Sequence, residues 1–351
     1  MYKPSISIIV PVHNETKEEL IKTFSCLENQ TNNDFELIVV DDGSDEDIAQ
    51  FCDFYFKNKT GRVIVLHQQG NGVSSARNHG LEQSAGKFIM FLDAGDWIEK
   101  NCVEIVLKKE YEFNCDFIAW NFYYNYFGGK IYQENAIRPN PVIFEGEKVL
   151  KDLSLDMVSP YYDERYHGIS LGPVRDVWGK LYKSEIIKQN KIRFDSSLQI
   201  GEDAVFNLHY LKFARKAMFF NLYLNHYFIK PNSAIRGYRT DIVNVRCNLI
   251  EAYRNHFSHN FSAEFETVIA REILSAVVSS LRRYICNRSA KLSDSDKRKE
   301  VRSLLNRAQI SIIDTLKYDI NFFSLKEKIL LYLIKNKRIT SLVLLGKLIS
   351  L

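Results

Sequence analysis

The apolar run KFIMFLD ends in two carboxylates, Asp93 and Asp96, with only Ala94 and Gly95 between them. Apolar residues ending in acids mark a buried strand reaching the surface, and in an open α/β sheet ligands bind at the carboxyl ends of strands. A solvated turn is the plain alternative. Asp41 and Asp42 end a second run, FELIVVDDGS, where they can bond a base edge or ribose hydroxyls, and Gly43 lets the chain turn close to a ligand. The loop GNGVSSARNHG sets Arg77 one turn into a helix that begins after Gly70 and Gly72. A helix amino end plus a guanidinium favours phosphate. Glu202 and Asp203, in GED, open a further helix, and acids there stabilise a helix amino end by ~0.3–1 kcal/mol whether or not they also do chemistry.

These residues need strands to carry them, and the first hundred residues alternate two periods. SISIIVPV (5–12), FELIVV (35–40), RVIVLH (62–67) and KFIMFLD (87–93) are short β-branched or aromatic runs, and the segments between them carry apolar residues at helical spacing. Continuous apolar strands separated by amphipathic helices predict a doubly wound α/β domain, a mostly parallel sheet with helices on both faces. Ser44 and Asp45 start the second helix, Gly61 follows its end and Gly86 closes the third. The acid-bearing turns therefore all lie at the carboxyl ends of strands. A Rossmann oxidoreductase is disfavoured, because the first strand runs into PVHNE where a dinucleotide fold needs GxGxxG.

After Trp97 the pattern changes to a helix over about 99–112, then CDFIAWNFYYNYFGGKIYQ, whose alternation and Gly128-Gly129 pair predict a hairpin. The segment 138–175 has no clear period. GEDAVFNLHYLKFA reads as a helix, AMFFNLYLNHYFI as a strand, and everything beyond about residue 240 as helical. A boundary near residue 236 separates residues 1–235 from a basic α-helical region, 236–351, which holds 21 Lys+Arg against 11 Asp+Glu. The first part is acidic, with 26 against 32. Such asymmetry suggests a basic part facing an anionic partner. The run EKILLYLIKNKRITSLVLLGKLISL suits a helix lying in a membrane interface, or equally one packed on the catalytic domain or on a dimer partner. Nucleic acid is not expected, for no recognition motif or basic stripe with interleaved aromatics is present. The six cysteines lie far apart with no CxxC pair, which fits reduced thiols in a cytoplasmic protein. No stretch reaches the ~18 apolar residues of a membrane span, and the N-terminal run is too short for a signal peptide.

Taken together, SISIIVPVHNE, FELIVVDDGS and GNGVSSARNHGLEQSAGKFIMFLDAGDWI resemble, in order and spacing, the signatures of the GT-A-fold bacterial family 2 glycosyltransferases. VWGKLYKSEII and FDSSLQIGEDAVFNLHYL extend the resemblance over roughly residues 5–235. It implies a GT-A catalytic domain, with residues 1–97 as the nucleotide-binding half and 98–235 as the acceptor-binding half. The implied activity is inverting transfer of a sugar from a nucleotide-sugar donor, a UDP-sugar by expectation. The acceptor would be a glycan or lipid-linked saccharide of bacterial surface polysaccharide (capsule, O-antigen or lipopolysaccharide), at the inner face of the plasma membrane.

Carried over by position, the resemblance implies that Pro11, His13 and Glu15 line the base pocket, with His13 standing where the family usually has tyrosine. Asp41 would bond the uracil, Asp42 and Gly72 would complete the donor site, and Arg77 would approach the base or phosphates. Asp93 matches the first acid of the family's Asp-x-Asp pair, which holds ribose or metal. Gly95 occupies the second position, so Asp96 is the natural substitute for coordinating Mg²⁺ or Mn²⁺, which take oxygen ligands. Asp203 would be the general base, its pKa raised by burial or by Glu202, which would position it or the acceptor. Trp178 could stack on a sugar and Lys180 could approach a phosphate or acidic acceptor, with core packing and a solvated amine as equal alternatives. Ser233 and Arg236 would lie on a loop over the diphosphate, while His167 has no visible partner. Gly95 and His13 also motivate an alternative, a catalytically silent nucleotide-sugar-binding or scaffolding subunit. A nucleotidyltransferase lacks support, since no Gly-rich triphosphate loop with a lysine follows the first strand.

Overall fold

The computed structural model describes residues 3–57, 61–126, 131–133, 141–158, 175–229, 237–257 and 262–350. The chain divides into two compact units, Met1–Ser197 with Glu202–Lys230, and Leu198–Gly201 with Pro231–Leu351.

In the first unit the described strands are β1 (Ile6–Val12), β2 (Phe35–Asp42), β3 (Arg62–Gln68), β4 (Phe88–Phe91), β5 (Trp97–Ile98), β6 (Phe117–Tyr126), β7 (Ile131–Gln133), β8 (Val142–Glu145), β9 (Lys180–Lys183) and β10 (Lys216–Ile229). They form one sheet in the order β3-β2-β1-β4-β9-β6-β10-β5, with β7 beside β6 and β8 beside β10. The long ladders, β1 with β2, β2 with β3 and β6 with β10, are parallel. The sequence pattern does not reveal β9, an antiparallel strand wedged between β4 and β6. Its four residues, KLYK, are too few to display a period.

Helices cover both faces, which is why β1 and β4 are buried throughout and, Ser7 apart, apolar. Helices α1 (Lys17–Glu28), α2 (Glu46–Phe56) and α4 (Cys102–Phe113) pack with Ile6, Ile8 and Val10 in one core. Helix α3 (Val73–Gln83) lies on the other face, where a Cβ on Gly80 would come within 2.5 Å of Ile9. Thr16 and Glu19 close a capping box on α1, and Leu20, Phe24 and Leu27 form its buried stripe. Helices α5 (Glu147–Val158), α6 (Ser184–Gln189) and α7 (Glu202–Leu211) are the other helices among the unit's described residues. β8 and α5 occupy part of the segment that reads without a period. Leu153, Leu155, Met157 and Val158 of α5 are all buried, and so dense a set spreads beyond one helical stripe.

The chain steps outward from β1 through β2 to β3, then returns to β4 on the other side of β1. Loops leaving β1 and β4 part at this reversal, the place where open α/β sheets bind their ligands. Pro11 sharpens the split. The β1–β4 ladder runs to the bond from the Leu92 N–H to the Ile9 carbonyl, 3.1 Å, and its next bond needs an N–H from residue 11. Proline has none. Strand β4 therefore leaves the sheet at Leu92, and the next residue is Asp93.

Gly86 stands where the chain enters β4 beside β1. A Cβ there would lie 2.5 Å from the Ser7 nitrogen and 2.7 Å from the Ile6 carbonyl carbon, both backbone. Gly86→Ala is expected to destabilise the protein by ~2–3 kcal/mol, read as a lower urea midpoint at unchanged slope. A loss below about 0.5 kcal/mol, the scale of a neutral surface change, would show that the two strands can separate at this point without cost.

The second unit is helical among its described residues. Helix α8 (Ile242–His256) packs on α9 (Ala263–Ser280), with Arg246 bonding Glu272 (3.2 Å) and Ser275 (2.6 Å) between them. Helices α10 (Asp294–Leu305), α11 (Ala308–Ser311), α12 (Leu325–Lys335) and α13 (Ile339–Ile349) follow. Ser262, Ser293 and Ser324 cap α9, α10 and α12.

Candidate functional site

Just beyond the end of β4, Arg77 joins residues from three parts of the first unit. Its Nη2 donates to Asp93 Oδ1 at 2.7 Å and its Nη1 to Asp203 Oδ1 at 2.6 Å, and the guanidinium lies 5.3 Å from the Phe194 ring centre. Arg77 is 3% exposed, Asp203 16% and Asp93 34%. The guanidinium therefore does not reach out toward a base or phosphate, as the sequence suggests. Two carboxylates engage it inside the protein, and short charge-assisted bonds hold it there. Burial pulls the Arg77 pKa down, but Asp203 and Asp93 more than offset this and hold it above its ordinary value.

Asp203 sits in the first turn of α7, one residue after Glu202, with Oδ2 3.3 Å from the Val177 N–H. Burial pushes its pKa up to about 8; Glu202, Asp93 and Asp176 push the same way, and Arg77 opposes. Burial raises Glu202 as well. Burial thus makes Asp203 and Glu202 keep their protons more tightly than free carboxylates do, and the single guanidinium does not offset it.

One turn along α7, Asn207 is fully buried. Its Nδ2 donates to the carbonyls of Arg175 (2.9 Å) and Asp176 (3.1 Å), while its Oδ1 lies 2.6 Å from the Tyr182 hydroxyl. Asp203 and Asn207 together pin residues 175–177 along the helix. Sequence reasoning passes over Asn207, although a polar residue four positions after Asp203 within NLHYL is the available signal. Burial also raises Asp176, the other member it misses.

The remaining expected site residues fall into distinct places. Asp41 and Asp42 are buried at the end of β2. Asp41 accepts from the Ser44 N–H (3.1 Å) and meets His67 Nδ1 at 2.9 Å; this bond raises the His67 pKa against burial, which lowers it. Asp42 ties down the glycine loop, accepting from the Asn71 N–H (2.8 Å), the Gly72 N–H (2.8 Å) and Gln68 Nε2 (2.7 Å). Gly43, at φ +71°, lets the two loops touch, for a Cβ there would lie 2.5 Å from the Gly70 nitrogen. His13 is exposed, its Nδ1 2.9 Å from the Asp42 carbonyl, and Glu15 folds back to accept the His13 N–H at 2.7 Å. Pro11, His13, Glu15, Asp41 and Gly72 thus gather at adjoining strand ends.

Trp178 and Lys180 do not face an open pocket. Trp178 is buried, stacked 5.5 Å from Tyr227 and edge-on to Phe122 at 4.5 Å. Lys180 is buried with Nζ on the Trp178 carbonyl at 3.2 Å, and burial pushes its pKa down to about 8 against the pull of Asp176 and Asp203. Ser233, Arg236, His167 and, within 138–175, residues 138–140 and 159–174 lie outside the described residues.

The donor set at the turn is narrow. Asp96, 5% exposed, is turned into the protein, where its Oδ1 accepts the Phe228 N–H at 2.8 Å. Gly95, at φ +96°, carries no side chain. Asp93 is the open carboxylate of the turn, and among the described residues no group of three His, Cys, Asp or Glu gathers as a metal cage. This fits Mg²⁺ or Mn²⁺ held by one carboxylate together with diphosphate oxygens, the usual arrangement for such ions on nucleotides.

Residues 7–169 match the model of glycosyl transferase family 2. The chain is 30% identical over 242 residues to the glycosyltransferase GlyA of Streptococcus pneumoniae serotype 4, covering 66% of the chain and 31% of GlyA. It is 30% identical over 249 residues to EpsH of Bacillus subtilis, provisionally named a glycosyltransferase, covering 68% of the chain and 65% of EpsH. The chain therefore spans less than two thirds of either relative. In fold it is similar to residues 1–349 of S. aureus TarS in complex with UDP-GlcNAc, with TM-score 0.66 at 16% identity over 98% of this chain and 90% of that one. With the motifs in order and the sheet of the GT-A type beneath them, residues 7–169 form a glycosyl transferase family 2 domain.

Proposed function

We propose that the protein is an inverting glycosyltransferase that moves a sugar from a nucleotide-sugar donor, most simply a UDP-sugar, to a saccharide acceptor of bacterial surface polysaccharide. The observation that carries this reading is the Asp93–Arg77–Asp203 bridge, which ties a carboxylate on the donor side to a buried acid with its pKa raised toward neutrality. The strand-end cluster around His13 and Asp41 supports a nucleotide there, as do the UDP and UDP-GlcNAc complexes of TarS.

Asp203 takes the proton of the acceptor hydroxyl as its oxygen attacks the anomeric carbon. The bond from that carbon to the diphosphate breaks on the opposite face, the nucleoside diphosphate leaves with the electron pair, and the configuration inverts. A pKa near the working pH suits this task, for a base must be ionised in the resting enzyme and still hold a proton in the transition state. Glu202 and Arg77 set the charge that Asp203 feels. A divalent cation on Asp93 would supply Lewis-acid stabilisation of the diphosphate. Asp96 holds the turn that presents Asp93. The reading sets the enzyme in the cytoplasm, at the inner face of the plasma membrane, with a glycan or lipid-linked saccharide as acceptor.

Calorimetry of UDP binding tests the donor site. Mn²⁺ is expected to tighten UDP binding by about tenfold or more, equivalent to ~1.4 kcal/mol, and Asp93→Asn to remove that gain. Mn²⁺ without UDP is expected to give no heat, since the nucleotide supplies most of the ligands. UDP binding that Mn²⁺ leaves unchanged would move the leaving-group charge onto protein cations. No UDP binding at all would overturn the choice of nucleotide.

A further inference from the structure

The last two helices of the second unit are apolar on opposite sides. On α12, Leu330, Leu331 and Ile334 are buried, while Leu325, Ile329 and Tyr332 are exposed. At about 100° per residue the exposed three form one stripe and the buried three the opposite one. On α13, Leu342, Val343 and Gly346 are buried, Gly346 so closely that a Cβ would lie 2.5 Å from the Cys286 sulfur. Leu344 and Leu348, one turn apart, face solvent. These five apolar residues are 53–75% exposed, although a helix apolar all round is normally enclosed.

Charge singles out the occupant. Residues 325–349 carry six Lys+Arg and one acid, Glu327, which is already bonded to Arg271 at 2.9 Å. On the helical wheel Lys326 falls to one side of the α12 stripe and Lys328 and Lys335 to the other, while Lys337 and Arg338 lie in the three-residue link to α13. An apolar stripe edged by cations is the pattern of a helix seated in a membrane interface, its apolar side chains among acyl chains and its cations at anionic headgroups. No described helix is long and apolar enough to cross a membrane.

We propose that the exposed faces of α12 and α13 dock on an anionic phospholipid bilayer, with Leu325, Ile329, Tyr332, Leu344 and Leu348 entering the interface. This gives the membrane partner of the function proposed above a specific surface. Its test reads no turnover, so it stands or falls separately from the transferase reading.

The experiment is co-flotation of the full chain with vesicles of phosphatidylcholine alone and of phosphatidylcholine with phosphatidylglycerol. The expected result is binding to the mixed vesicles, weakened by 0.5 M salt as a screened attraction must be, and at least tenfold less binding to phosphatidylcholine alone. The pair Ile329→Asp with Leu344→Asp is expected to reduce bound protein about tenfold at an unchanged melting temperature, since both side chains are exposed. Lys337→Glu with Arg338→Glu should do the same at low salt. No binding to the mixed vesicles, or binding that the aspartate pair leaves intact, overturns the proposal. So does light scattering that finds a dimer in solution dissolved by the aspartate pair, because the face then belongs to a second copy.

Discussion

Asp203→Asn is expected to lower kcat by about 10³ while leaving UDP affinity within twofold of wild type, a loss within the range of a removed general base. Asparagine keeps an oxygen for Arg77 Nη1, so the bridge to Asp93 can survive the change. It cannot accept the acceptor's proton. The wild-type protein should show kcat/KM rising with pH through about 8, because Asp203 must be ionised to act and burial holds its proton to that pH. Asp203 and Glu202 are neighbours that burial pushes the same way, so the profile reports the pair. If the variant keeps more than about a tenth of wild-type kcat, the base lies elsewhere. A wild-type protein that binds UDP-sugars and transfers nothing to any saccharide would instead favour the scaffolding alternative.

Much of this site was legible in the sequence because its carriers are buried strands. SISIIVPV and FELIVV are apolar since helices cover both faces of β1 and β2, while RVIVLH at the sheet edge is only half-buried, and strand ends are where such runs meet acids. Asp41, Asp93 and Asp203 are singled out that way, or through the resemblance those acids carry. What escaped was pairing between distant segments. Arg77 looks like a phosphate ligand from its place near a helix amino end, and no local pattern announces that carboxylates 16 and 126 residues away will enclose it. Asp96 shows the same limit, since its partner is a backbone N–H on β10, 132 residues on. Asn207 and β9 were missed for a related reason, that a single buried amide and a four-residue strand have no period.

Arg77→Met tests whether that enclosure matters to the chemistry or only to the fold. Removing one member of a buried ion pair typically costs ~3–5 kcal/mol, because a charge is left inside without its partner. The loss here should be nearer about 3 kcal/mol, since Asp93 is a third exposed and can turn to water. Asp203 has less access to water and answers by holding its proton more tightly. An opposite charge at hydrogen-bond distance lowers a carboxyl pKa by ~1–3 pH units, so its removal should carry the acid limb of kcat/KM upward and cost about 10² in rate at pH 7.5. Raising the pH to 9.5 should recover a large part of that rate, which an unfolded fraction or a displaced loop would not do. Arg77→Lys should fall between, since an ammonium carries the charge but lacks the fork that spans both carboxylates. A variant whose pH profile coincides with wild type, only lower, would reduce Arg77 to a packing role. A limb that moves while UDP affinity stays constant would make it the positioning residue through which the donor side and the base are held together.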